Sequence, residues 1–119
     1  MANKKGSICI SDEVLMDLAG YAALESYGVV GMANQSLVDD VVQLLPRNKL
    51  HKGVRISLAD EKSETPGAVN VDLYVVIEYG TNLSQVSRNL SDRVRYTLTE
   101  FADIEVGRVE VHVLEVKVR

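Results

Sequence analysis

The longest regular pattern in the chain is an alternation. Val69, Val71, Leu73, Val75, Ile77 and Tyr79 point one way, and Asn70, Asp72, Tyr74, Val76 and Glu78 the other. A period of two is the signature of a half-buried strand. The stretch "VRISLAD" alternates in the same way, with Val54, Ile56 and Leu58 inward. Between the two lies the polar "EKSETPG", which reads as a hairpin connection and predicts antiparallel pairing. The last stretch places Val109, Val111 and Val113 on one face, then changes phase to Val116 and Val118. A slip of one residue turns every later side chain to the opposite face, so a β-bulge is expected near Val113-Leu114. A shorter strand, "SICIS", is expected ahead of these, with Ile8 and Ile10 on one face.

Three stretches carry the helical period instead. Val14, Leu15, Leu18, Ala19, Ala22 and Ala23 form one apolar stripe, with Ser11 as its N-cap and Asp12 and Glu13 in the first turn. Gly28 is expected to end that helix in a left-handed conformation. "VVGMANQ" reads as extended or irregular. Val38, Val41, Val42 and Leu45 then predict a short helix closed by Pro46. Leu83, Val86, Leu90, Val94, Leu98 and Phe101 predict a long one, with Arg88 and Arg95 near Asp92 on its outer side.

The order is therefore β-α-α-β-β-α-β. The last helix is a crossover that should return the final strand parallel to the alternating one. The expected fold is α+β, a two-layer sandwich of a mixed sheet with helices on one face. A chain of 119 residues suits one domain, here 7–119 behind a flexible tail at 1–6. Aromatics are scarce, with no Trp and one Phe, so the core should be aliphatic.

A net charge of −4 argues against nucleic acid as a partner, because such binding draws on neutralised phosphates. Cys9 is the only cysteine, so no intrachain disulfide exists, and a reducing cytoplasm is the expected compartment. "MANKKGSICI" lacks the apolar run of a secretory signal. The longest apolar run, "LYVVI", stops at five residues, against about 20 for a membrane span.

Candidate chemistry is sparse. Gly80 stands between strand and helix, where phosphate-binding loops occur, but "YGTNLSQ" has neither the second Gly nor the Lys of such a loop. Asn82 with Gln85 fits a helix cap instead, so Gly80 reads as a turn, as does Gly28. His112 should share the outward sheet face with Glu110 and Asp72, a donor set suited to a metal or to acid–base work. Strand alternation alone produces such trios, so a solvated face is expected, with no metal, no cofactor and no catalytic residue. Arg47, Lys49 and Lys52 lie in the basic stretch "RNKLHK", which could contact anions but reads as a surface loop. The outward face of the alternating strand interleaves Tyr74 and Val76 with polar groups. With Leu114 and Val116 of the final strand it is expected to form a self-association surface.

"ISDEV" with "AGYAALESYGVVGM", then "GVRI", "VNVDLYVVIEYGTNLSQVSRNLSDRV" and the terminal "VEVHVLEVKV" together resemble the alkaline shock protein family of Gram-positive bacteria. Their order and spacing carry the resemblance, which implies that Gly28, Gly31 and Gly80 are structural turns. It also implies a cytoplasmic, non-catalytic scaffold or adaptor in envelope stress response, acting as a homo-oligomer and through a protein partner. That partner would be a membrane-anchored protein, or, for this short form, a dihydroxyacetone-kinase-like protein to which the chain is an accessory subunit.

Overall fold

The computed structural model of the protein describes residues 11–34, 43–59 and 67–118. Its elements in order are helix α1 (Asp12–Leu24), strand β1 (Val29–Met32), a 3-10 segment (Arg47–Gly53), β2 (Val54–Leu58), β3 (Val69–Glu78), α2 (Leu83–Ala102) and β4 (Val106–Lys117). The expected tail and the strand around Ile8 and Ile10 lie outside the described residues. So does most of the expected short helix at 38–45. Its last residues, Gln43 to Leu45, are not helical, and Leu44 instead forms an isolated bridge with Ala33.

Both helices start as their capping residues dictate. The Ser11 hydroxyl accepts from the Val14 N–H at 3.3 Å, and the Asn82 side-chain oxygen accepts from the Gln85 N–H at 3.0 Å. Each bond satisfies one of the orphan donors of a first turn. Helix α1 ends earlier than expected, at Leu24, where the Ser26 hydroxyl donates to the Ala22 carbonyl. Helix α2 stops at Asp103, whose φ of 53° is left-handed.

Strand β3 is the axis of the sheet. Along one side it pairs with parallel β4 over its whole length, from Val69↔Val106 to Glu78↔Lys117. Along the other it pairs antiparallel with β2 through Val54↔Leu73 to Leu58↔Val69, and with β1 through Val29↔Ile77 to Met32↔Val75. Strands β1 and β2 thus lie end to end on one edge of β3. The chain leaves that edge at Ala33, whose N–H donates to the Tyr74 carbonyl at 2.9 Å, and rejoins it at Val54. The hairpin pair and the parallel return of the final strand are both as expected. Val29–Met32, read from sequence as irregular, is a true strand because β3 is long enough to template it.

The register between β3 and β4 shifts twice, between Val69 and Asn70 and between Val75 and Val76. At the second shift Leu114 is the extra residue, which is the bulge expected from the phase change. Its consequence differs from the expected one. Val116 is opposite Ile77, so the bulge returns it to the helix-covered face instead of leaving it on the far side.

Among the described residues, α1 and α2 cover one face of the sheet. Val69, Val71, Leu73, Val75 and Ile77 pack with Leu15, Ala19 and Ala23 of α1 and with Val86, Leu90, Val94, Leu98 and Ala102 of α2 in a single core. Within α2 the buried stripe runs at four-residue steps from Val86 to Ala102. Leu83 and Phe101, assigned from sequence to that stripe, are exposed; at the last turn Ala102 and the following Ile104 occupy the core in place of Phe101.

Candidate functional site

The described residues hold three places with more than structural content. The first is where the 3-10 segment docks on α1. Leu50 packs so closely against Gly20 that a Cβ there would sit 2.8 Å from the Leu50 Cβ. The Tyr21 hydroxyl reaches the Arg47 carbonyl at 3.4 Å. His51 completes the contact, with Nδ1 at 3.2 Å from Asp17 and Nε2 at 3.6 Å from Glu13. The two carboxylates are one helical turn apart on α1, so they meet opposite edges of one ring. This is a clasp between two elements. Glu13 and Asp17 were visible as an i, i+4 pair, but nothing local in the sequence announces that His51 closes on them. Arg47, Lys49 and Lys52 are exposed around the clasp, held by a short 3-10 helix and not by a free loop.

The second place is the outward face of the sheet. Asp72 is paired with Glu110 and Tyr74 with His112 in the β3–β4 register, so the four side chains form a block across two strands. His112 Nε2 is 3.1 Å from Asp72 Oδ1 and 3.8 Å from Glu110 Oε2. The imidazole stacks on the Tyr74 ring, with centroids 4.7 Å apart and planes 11° from parallel. Arg108 Nε holds the other oxygen of Glu110 at 3.3 Å. The trio expected from alternation therefore does come together.

This face is less apolar than the sequence implies. Val76 is fully buried, although it lies on the outward side. Its partner across the sheet is Gly31, and Leu44 Cδ2 lies only 2.9 Å from where a Cβ on Gly31 would stand. Leu44 therefore packs over this part of the face beside Val76. Gly31 is thus a close-approach residue within β1 and not a turn. Of the other residues expected to form a contact surface, Tyr74 is half-buried under His112, Leu114 is half-buried, and Val116 is exposed on the helix-covered side.

Gly28 and Gly80 both have left-handed backbones, with φ of 84° and 91°. Gly28 approaches Val86 closely, whereas nothing lies within 4 Å of a Cβ on Gly80. Gly80 and the 2.7 Å bond from the Thr81 hydroxyl to the Glu78 carbonyl make a turn into α2. They do not make a phosphate cradle.

The third place was not anticipated. A groove of 480 Å³ runs between α1 and α2 on the side away from the sheet, lined by Leu18, Tyr21, Ala22, Tyr96, Thr97 and Phe101. The Arg93–Glu25 ion pair, at 2.9 Å, bridges the helices beside it. Tyr96 and Phe101 are 62% and 74% exposed. The chain has five Tyr and one Phe, so half of its aromatic residues stand around this groove. The signal available in sequence was Phe101 itself, read as core because it falls near the apolar stripe.

Both histidines face carboxylates. No described helix is long and apolar enough to cross a membrane.

The chain is similar to the protein YloU of Bacillus subtilis, with 32% identity over 99% of this chain and 94% of the relative. It is similar to Spy1614 of Streptococcus pyogenes, with 36% identity over 97% of this chain and 91% of the relative. It also resembles YqhY of Bacillus subtilis, at 26% identity over 94% of this chain and 78% of that protein. No solved structure matches. The family model for alkaline shock protein 23, described as a family of cell envelope-related function, matches residues 1–118, and the chain belongs to that family.

Proposed function

We propose that this protein is a non-catalytic adaptor in cell-envelope homeostasis that acts by self-association and by contact with a protein partner. The aromatic groove between α1 and α2 carries this reading. Exposed apolar side chains gathered in one place on a small domain mark contact surfaces, and Tyr and Phe are enriched there. In a chain with so few aromatics, three of them outside the core represent burial forgone on folding, which a partner would recover. The outward sheet face, rich in Arg, Asp and Glu, suits a polar rim better than an apolar centre.

Sedimentation velocity of the purified chain at high micromolar concentration tests the reading. The wild type is expected to sediment as a dimer or larger species. Phe101→Asp should return it to a monomer with an unchanged circular dichroism spectrum, and Tyr74→Glu should leave the oligomer intact. A monomeric wild type would remove self-association. An oligomer sensitive only to Tyr74→Glu would move the contact to the sheet face.

A further inference from the structure

The two histidines of this chain sit in superficially equal surroundings, each beside one Asp and one Glu. Their geometries differ in the one respect that matters to a metal ion. At His51 the carboxylates face different ring nitrogens, so an ion on either nitrogen has only one carboxylate directly beside it. At His112 both carboxylates face the same nitrogen, Nε2, whereas the clustering of one ligand atom per residue within 4.8 Å is common to both groups.

We infer that Asp72, Glu110 and His112 form a binding site for a divalent transition-metal ion on the outward face of the sheet. The spacing supports this. An ion held tetrahedrally at about 2.0–2.1 Å from each ligand places those ligands roughly 3.3–3.4 Å apart. The observed nitrogen-to-oxygen distances of 3.1 and 3.8 Å straddle that value, and the two carboxylate ligand atoms lie within 4.8 Å of each other. One imidazolium N–H, by contrast, has a single direction and cannot point at both oxygens.

The ligands are also held in place. They project from paired positions on β3 and β4, the longest pairing in the sheet, and not from loops. Tyr74 stacks on the imidazole and limits its rotation. Arg108 takes one oxygen of Glu110 and leaves the other facing Nε2, the kind of outer partner that orients a ligating carboxylate.

The donor set defines the ion. One neutral imidazole and two carboxylates supply a charge of −2, which a divalent cation neutralises. An imidazole donor favours zinc and its first-row neighbours over magnesium and calcium, which prefer oxygen alone. The guanidinium of Arg108 and that of Arg55, paired in register with Asp72, oppose a cation and limit the affinity. The three side chains remain 22–44% exposed, so water completes the coordination shell. The ion ties β3 to the edge strand β4, a bond between elements that holds regardless of whether the aromatic groove is a contact surface.

Calorimetric titration of the full chain with zinc chloride tests the site. One ion per chain is expected, with a raised melting temperature, and magnesium at equal concentration should produce neither. Asp72→Asn, nearly isosteric, and His112→Gln should each weaken zinc binding at least about tenfold, the loss typical even of outer-shell changes. His51→Gln should leave it unchanged. Unliganded melting curves establish that the variants fold. Absence of binding at millimolar zinc, binding that survives both Asp72→Asn and His112→Gln, loss on His51→Gln alone, or equal binding of magnesium would each overturn the assignment.

Discussion

Strand β3 presents two faces built from one alternating sequence, and they do different work. On the inner face Val69, Val71, Leu73, Val75 and Ile77 are at most 1% exposed and lie under two helices. On the outer face Asn70, Asp72, Tyr74 and Glu78 are half-buried at the surface, where Asp72 contacts the His112 ring nitrogen and Tyr74 stacks on the same ring. The contrast shows where stability and chemistry reside in this fold. Apolar burial fixes the inner face, and removing atoms there leaves a void that packed helices cannot refill. The outer face has little to lose from truncation, so it is free to carry ligating and charged groups.

Adjacent residues of β3 give the largest expected contrast. Leu73→Ala should cost about 2–5 kcal/mol in urea denaturation, the range for a buried leucine. Asp72→Asn, one position earlier, should cost about 1 kcal/mol or less, since its partner His112 is partly solvated. Equal losses would mean that the outer face contributes to the core after all.

Gly28 and Gly80, two of the three left-handed glycines among the described residues, extend the contrast to the ends of the sheet. Gly28→Ala should cost about 2 kcal/mol or more, combining backbone strain with a collision at Val86, 2.6 Å from the added Cβ. Gly80→Ala adds strain alone in open space, about 1 kcal/mol. Chemical denaturation of the pair separates crowding from backbone conformation. A Gly80→Ala variant as damaged as Gly28→Ala would show that the turn after β3 is packed.

Val76 is the exception on the outer face. Truncating it to Ala removes the equivalent of two buried methylenes, roughly 1.6 kcal/mol. A loss under about 0.5 kcal/mol in the same denaturation assay would show that Leu44 does not shield it, and the outer face would then be uniformly solvent-facing.

Much of this protein was written in its local patterns. The alternation of Val69–Glu78, the caps at Ser11 and Asn82, the antiparallel hairpin partner and the bulge near Leu114 all follow from periods and end signals that act within a few residues. The shared face of Asp72, Glu110 and His112 followed from the same arithmetic. Other features depend on which segments meet. Val76 is buried because Gly31 and Leu44 come from elsewhere, Val29–Met32 is a strand because β3 is beside it, and Phe101 is outside because Ala102 and Ile104 reached the core first. His51 finds Asp17 across 34 positions of chain, and two carboxylates converge on one nitrogen of His112 but split across the ring of His51. Periodicity specifies the side of an element on which a residue stands. Distances between side chains of different elements depend on register and packing, and only the assembled tertiary structure determines those.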